Sequence, residues 1–159
     1  MDGRGSPGRP ARPRTSTVEA IPSDSQETPL AGGKLLSAIS TGFVKLLREH
    51  YGRGPIKAKT YALDDIVVCV MRGSGFTPLE QTMMDAGDGS RVVAMREDFQ
   101  NLMAGRYKKM IEELTGRKVL AFLSQAHVEP DITIEMFFMD RPLDGFGAVE
   151  VIEPGLEPG

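Results

Sequence analysis

The same order of predicted elements occurs twice along the chain. In each half a helical stripe ends at a Gly-Arg pair, and an apolar strand, a polar turn and a second apolar strand follow. The tetrapeptide at residues 65–68, DIVV, aligns with DITI at residues 131–134. We therefore predict an internal duplication of an αββ unit, which limits the fold more than any other feature of the sequence.

Helical spacing marks one principal helix in each unit. Apolar residues recur every three or four positions over residues 34–50, and again over residues 90–114. Between these stretches, TPLE at residues 77–80 has the N-cap, the first-turn proline and the N3 glutamate that are typical of a helix start. A short helix is therefore predicted to run from this point to about Ala86.

Four apolar, β-branched stretches predict strands. They lie at residues 56–62 and 66–71 in the first unit, and at residues 119–123 and 132–139 in the second. Two hairpins and two principal helices predict an α+β domain, in which two αββ units form a four-stranded antiparallel sheet with helices packed on one face. Residues 66–71 are apolar on both sides of the strand, so the second face is expected to be covered, and we predict a homodimer.

Turn residues separate these elements. Glycine suits a left-handed helix cap, proline cannot continue a helix, and aspartates in hairpin turns bond to the nearby backbone. The predicted turn-forming residues are Gly52, Gly54, Pro55, Asp64, Asp65, Pro130 and Asp131.

Composition divides the 159-residue chain into one domain and two tails. Residues 1–33 are rich in Pro, Gly and Arg and have few apolar side chains, which predicts a disordered tail. Residues 34–140 form the predicted domain. Residues 141–159 return to Pro, Gly and acidic side chains and are predicted to be a second tail.

Charge and cysteine content narrow the class of protein. The formal net charge is −3, which gives no strong signal for nucleic acid. Every apolar run is far shorter than the roughly 20 residues of a membrane helix, so no membrane span is expected. The single cysteine, Cys69, lies within an apolar run without an internal disulfide partner, and the N-terminus lacks the apolar stretch of a secretory signal. These features predict a cytoplasmic protein.

Positive charge is concentrated around the first Gly-Arg turn and has a counterpart around the second. Basic groups beside a flexible turn can hold an anion or a protein partner through charge-assisted hydrogen bonds. Complementing a helix dipole is the commoner role of such groups near a helix C-terminus. The candidate binding residues are Arg48, Arg53, Lys57, Lys59, Arg117 and Lys118.

Catalytic chemistry has little support. His127, Glu129 and Asp131 are alternate residues around Pro130 and are weak candidates for a metal site, although a structural turn is the commoner reason for this pattern. No serine or cysteine has a nucleophile-elbow pattern. We therefore predict no catalytic residue, no cofactor and no enzymatic activity.

Four motifs together carry a family resemblance. They are HYGRGPIKAKTY, DDIVVCVMRG, TPLEQTMMDAG and ELTGRKVLAFLSQAHVEPDI, and they resemble the MpsC family, which is named for a component of a sodium-translocating, membrane-potential-generating system. The resemblance covers about residues 35–139 and excludes both tails. It implies a bacterial, cytoplasmic accessory protein linked to inorganic-carbon or cation transport, with a membrane transport protein as partner and with no catalytic residues to carry over.

Three functions remain as hypotheses. The first is a non-enzymatic accessory or regulatory protein that acts by protein–protein interaction, with the turn at residues 52–59 and its counterpart near Arg117 as the interaction surface. The second is a sensor of a small anion or metabolite that uses the same basic turn. The third is an enzyme of a kind that the sequence motifs do not identify.

Overall fold

The computed structural model describes residues 30–148, so most of both predicted tails, at residues 1–29 and 149–159, lies outside the described residues. Seven elements follow one another along the chain: α1 (Gly32–Tyr51), β1 (Lys57–Leu63), β2 (Ile66–Arg72), α2 (Pro78–Asp85), α3 (Gly89–Thr115), β3 (Val119–His127) and β4 (Ile132–Met139). None of the helices within residues 30–148 is both long and apolar enough to cross a bilayer.

The four strands form one sheet in the order β1-β2-β4-β3, with every neighbouring pair antiparallel. Helix α1 packs on β1 and helix α3 packs on β3. The predicted α+β fold, a four-stranded antiparallel sheet with packed helices, is confirmed. The second strand of each αββ unit lies in the centre of the sheet and the first lies at an edge. The duplication itself stays a prediction.

The core lies between the helices and the face of the sheet that they cover. Alternate residues of β2 and β4 are buried, as expected when one face of a pleated strand is packed. Aromatic rings join the layers: the centroids of Phe43 and Tyr107 are 5.0 Å apart, and those of Phe122 and Phe137 are also 5.0 Å apart. The buried apolar residues of the main cluster are Leu35, Ile39, Phe43, Val67, Cys69, Met71, Met103, Tyr107, Ile111, Phe137, Met139 and Leu143.

Both long helices end at the glycine of a Gly-Arg pair. Gly52 caps α1 with φ +78° and Gly116 caps α3 with φ +66°, and this left-handed conformation carries little cost only for glycine. Helix α2 begins with a capping box, in which the Thr77 hydroxyl accepts from the Glu80 backbone N–H and the Glu80 carboxylate accepts from the Thr77 backbone N–H.

The first hairpin turns at the aspartate pair. Asp64 has φ +55°, which the short side chain of aspartate tolerates. Its backbone N–H donates to the Phe146 carbonyl at 2.6 Å, and its carbonyl accepts from the Leu143 N–H at 2.9 Å. The segment after β4 is therefore tied against this turn.

Strand β3 continues to His127, although the predicted strand ends at residue 123. The prediction was too short because Ser124 and Gln125 interrupt the apolar run. In the structure Ser124 pairs with Glu135 and Ala126 pairs with Thr133, so the ladder to β4 continues through polar residues. The register shifts between Val119 and Ala121, which places a β-bulge at the start of this edge strand.

Candidate functional site

The basic residues predicted as a binding site lie at two opposite ends of the sheet. Lys57 pairs with Arg72 at the end where β1 begins, and the Lys118 carbonyl accepts from the Asp140 N–H at the other end. Arg117 binds the Pro142 carbonyl through Nε at 3.3 Å, with Asp144 3.4 Å from its Nη2. The structure therefore does not bring the two halves of the predicted site together.

The four basic residues around the first turn also point to separate neighbours. The Arg53 guanidinium donates to the Phe76 carbonyl. The Arg48 side chain lies against Gly54, where an added Cβ would approach Arg48 Cγ to 3.0 Å. Lys59 Nζ lies 5.2 Å from the centroid of the Tyr61 ring. Lys57 and Lys59 are exposed on β1, on the face of the sheet opposite the helices.

The three weak metal candidates do not converge. His127 Nδ1 lies 2.7 Å from the Pro130 carbonyl oxygen and is exposed. Asp131 instead turns towards α3, where it binds Arg96 Nη1 at 2.6 Å and the Gly75 N–H at 3.0 Å. Among residues 30–148, no group of three His, Cys, Asp or Glu side chains is placed to hold a metal ion.

Asp131 belongs to a buried ionic cluster around Arg96, which we call the Arg96 cluster (Tyr51, Glu80, Arg96 and Asp131). Arg96 Nε donates to Glu80 Oε1 at 2.9 Å, and Nη2 donates to the Gly75 carbonyl at 3.1 Å. The Tyr51 hydroxyl also donates to Glu80 Oε1. The Arg96 and Glu80 side chains are 6% and 0% exposed, so the cluster is shielded from solvent.

The electrostatics of the cluster follow from its hydrogen bonds. Burial opposes the ionisation of Glu80, but the bonds from Arg96, Tyr51 and the Thr77 N–H outweigh burial and lower the Glu80 pKa. Burial and the adjacent Glu80 raise the pKa of Tyr51 to about 12. The cluster joins α1, the segment before α2, α2, α3 and the turn between β3 and β4. Because its charged groups bind one another, its main role is to hold these elements together.

A second buried carboxyl group, Glu135, lies close to this cluster but is not part of it. Glu135 is 0% exposed, and within residues 30–148 neither of its carboxyl oxygens has a hydrogen-bond partner. The same is true of Gln100 Oε1. Both side chains line a cavity of about 30 Å³, called here the Glu135 cavity. Its other polar lining residues are Tyr51, Arg53, Ser74, Arg96 and Thr133.

The opposite face of the sheet is largely apolar, and we call it the open face. Strand pairing groups its side chains into four rows across the sheet. Two rows are wholly apolar, the third is polar only on the edge strands, and the fourth is polar except for Ile132. The rows are Leu63/Ile66/Phe138/Ala121, Tyr61/Val68/Met136/Leu123, Lys59/Val70/Ile134/Gln125 and Lys57/Arg72/Ile132/His127.

Large apolar side chains on the open face remain accessible. Leu63 and Leu123 are each 57% exposed and Tyr61 is 49% exposed, whereas Val67, Cys69 and Met71 on the other face of β2 are at most 1% exposed. The alternation Ile132, Ile134, Met136, Phe138 lies on this open face. The covered face of β4 instead carries Thr133, Glu135, Phe137 and Met139, so a carboxyl group occupies a core position.

Arg96, Gln100 and Glu135 are not among the residues that the sequence predicts for a site. The spacing of α3 contained a signal for the first two, because Arg96 and Gln100 follow Val92 at intervals of four and precede Met103 and Tyr107 on the same stripe. The spacing therefore predicts a buried stripe on α3 that contains two polar residues, Arg96 and Gln100. For Glu135 the strand pattern gave no such signal, because the apolar set of β4 lies on the open face.

Comparison with known proteins agrees with the motifs. The family described as "Na+-translocating membrane potential-generating system (MpsC)" matches residues 31–141. "Uncharacterized protein YrhF" of Bacillus subtilis (strain 168) is 28% identical over 102 residues, which cover 63% of this chain and 83% of that protein. No solved structure gives a significant match. Since the family match spans more than two thirds of the sequence, the chain belongs to the MpsC family.

Proposed function

We propose that this protein is a non-enzymatic accessory module that acts by protein–protein contact and that forms a homodimer through its open face. The observation that carries the proposal is the pair of wholly apolar rows on that face, which includes Tyr61, Leu63 and Leu123 at about half exposure. Contiguous apolar surface of this kind marks an interaction site in a folded protein.

A second copy of the chain suits the open face better than an unrelated partner, because the rows are self-complementary. When two copies stack face to face about a twofold axis that runs along the strands, each end of the sheet lies over the same end of the other copy. The apolar rows then meet apolar rows. Lys57 and Lys59 on β1 of one copy lie over β3 of the other, on the side of the exposed Glu129.

The area of the open face limits how tightly two copies can bind. Four strands about 4.8 Å apart and about seven residues long span roughly 19 by 23 Å. The accessible area of such a corrugated surface is larger than its projection, but it falls near the lower end of specific interfaces, which bury about 800 Å² per partner. We therefore expect a reversible dimer that forms at micromolar concentrations.

The family description indicates a second partner for the proposed dimer. It names a membrane-potential-generating system that translocates Na+, so we propose a membrane transport protein as the second partner of the dimer, on the cytoplasmic side. The non-enzymatic part of the proposal is consistent with the Arg96 cluster, whose charged groups bind one another.

The dimer is tested by placing a charge at the centre of the open face. We expect Met136→Glu to convert the dimer to a monomer in analytical ultracentrifugation, because a carboxylate would be buried against apolar rows. Leu102→Glu is the matched control, since Leu102 is 78% exposed on α3 and away from the sheet, and this variant should remain dimeric. Far-UV circular dichroism checks that both variants fold.

Two results would overturn the proposal. One is a wild-type protein that sediments as a monomer throughout the micromolar range. The other is dissociation by Leu102→Glu with an intact dimer in Met136→Glu, which would place the interface on the helices.

A further inference from the structure

The Glu135 cavity contains oxygen atoms that lack donors. Glu135 Oε1 and Oε2 and Gln100 Oε1 have no hydrogen-bond partner among residues 30–148, and these side chains are 0% and 5% exposed. A buried polar group without a partner is costly, so such groups usually meet a ligand, an ion or water. When Glu135 is ionised, all three atoms are acceptors; the buried hydroxyl groups of Ser124 and Tyr107 also lack a partner among residues 30–148, but neither residue lines the cavity. An occupant of the cavity must therefore supply hydrogen-bond donors or positive charge.

The positive groups beside the cavity are already engaged. Arg96 uses Nε, Nη1 and Nη2 on Glu80, Asp131 and the Gly75 carbonyl. Arg53, which also lines the cavity, donates to the Phe76 carbonyl. Arg96 and Arg53 carry two positive charges, whereas Glu80, Asp131 and an ionised Glu135 carry three negative charges. The local balance therefore favours a cation over an anion.

Size and ligand number restrict the cation. A cavity of about 30 Å³ holds one or two particles of the size of a water molecule. Divalent ions are poorly suited, because Ca²⁺ takes six to eight oxygen ligands and Mg²⁺ requires near-ideal octahedral geometry. Here one carboxylate and one amide oxygen are the strong ligands, and the Arg96 guanidinium lies nearby.

We propose that Glu135 and Gln100 form a binding site for one monovalent cation of the size of Na+, K+ or ammonium. The Glu135 carboxylate supplies the charge and Gln100 Oε1 supplies a neutral oxygen ligand. Arg53 and Ser74 line the same cavity.

A proton competes with the cation for this site. Burial raises the pKa of Glu135 to about 8, and the neighbouring Ser124 hydroxyl opposes that rise. Cys69 and Tyr107 also face Glu135, from β2 and α3, but burial raises both of their pKa values well above that of Glu135. Arg96 on α3 and Arg53 from the α1–β1 turn are the positive groups around the cavity. Cation binding therefore requires loss of the Glu135 proton and should strengthen as the pH rises towards 8.5.

The experiment uses the full chain in chloride salts of Na+, K+, ammonium or choline at equal ionic strength and pH 8.5. Choline is too large for the cavity and serves as the inert salt. We expect at least one small cation to raise Tm by roughly 3 °C over choline at ten times its Kd. Side-chain carbon NMR should show the Glu135 titration midpoint shifting to lower pH in that salt.

Variants separate a bound cation from a general salt effect. Glu135→Gln should lose the difference between the small cation and choline. Gln100→Leu should weaken the cation-dependent shift of the Glu135 midpoint while Glu135 still titrates. Glu113→Gln, an exposed change on α3, should keep the full effect. Equal Tm values and equal midpoints in all four salts would overturn the proposal and would leave the cavity to a proton and water.

Discussion

Arg96 shows how much of this fold depends on a single side chain. Its guanidinium binds Glu80, Asp131 and the Gly75 carbonyl, and it lies 5.2 Å from the centroid of the Phe76 ring. It therefore connects α3 to α2, to the segment before α2 and to the turn between β3 and β4. Removing it would leave two carboxylates without their partner, one of them fully buried.

We expect Arg96→Met to lower the free energy of unfolding by about 3–5 kcal/mol, because it leaves Glu80 as an uncompensated buried charge. Urea denaturation measures the loss. The exposed Lys109–Glu113 pair is the control, and Lys109→Met should cost less than about 1 kcal/mol. A loss below 1 kcal/mol in Arg96→Met would mean that the cluster contributes no more than a surface ion pair.

Glu135 predicts an unusual dependence of stability on pH. Its pKa is about 8 in the folded protein against 4.5 for an unperturbed carboxyl group, so the folded state binds more protons than the unfolded state between these values. The contribution of Glu135 to stability is therefore full below pH 4.5, falls as the pH rises through this window and levels off above 8. The fall has an upper bound of about 5 kcal/mol. Glu80 has a lowered pKa and acts in the opposite sense, below pH 4.5.

Glu135→Gln removes this titrating group with little change in shape. Between pH 5 and 8.5, in choline chloride, the wild-type Tm should fall and the Tm of the variant should stay nearly constant. Parallel curves for the two proteins would show that Glu135 titrates normally. The range stops below the pKa of Cys69, which burial raises to about 12.

These residues also mark the limit of what the sequence predicts. Hydrophobic periodicity identifies only the apolar residues of a buried helix face, so it does not mark Arg96 and Gln100 on α3 as buried. Glu80, which binds Arg96, is 16 positions away from it in the chain, and Glu135, which lines the same cavity as Gln100, is 35 positions away from Gln100. Local pattern contains no information about such pairing, because it depends on how α3 lies across the sheet.

At the scale of helices, strands and turns, short-range sequence rules were sufficient to predict most of the helix caps and turns. The capping box at Thr77, the left-handed cap at Gly52 and the aspartate turn at Asp64 all lie where short-range rules place them. Strand β3 was the exception, since its polar second half is stabilised by pairing with β4 rather than by its own apolar character.

Two helical glycines give a matched test of helix packing. An added Cβ at Gly42 in α1 would lie 2.2 Å from Met110 Sδ on α3, whereas a Cβ at Gly105 in α3 would meet no atom within 4 Å. We expect Gly105→Ala to stabilise the protein by about 0.5–1 kcal/mol through helix propensity. Gly42→Ala should gain less or lose stability, because Met110 must move. Chemical denaturation compares them, and a larger gain at Gly42 would mean that α1 and α3 are not in close contact.

At the scale of the whole molecule, the sequence predicted the α+β class and the antiparallel sheet. Its expectation that the second face of the sheet is covered stays a prediction. The sequence did not predict which residues of β4 lie on the open face, because Thr133 and Glu135 are less apolar than Ile132 and Ile134 and are nevertheless the buried residues of this strand. The proposed dimer would resolve this inversion. The more apolar side of the strand would then be buried between two copies.

The two edge strands of the sheet limit the size of the assemblies that the protein can form. Strand β1 carries Lys57 and Lys59 along one edge, and β3 begins with a bulge on the other. Charges and bulges on edge strands discourage the addition of further strands. In the proposed dimer, stacking of two open faces would bury the apolar rows of both copies, so growth would stop at two copies. The same edges that look irregular within one chain would thus protect the protein from fibril formation while its apolar rows are exposed.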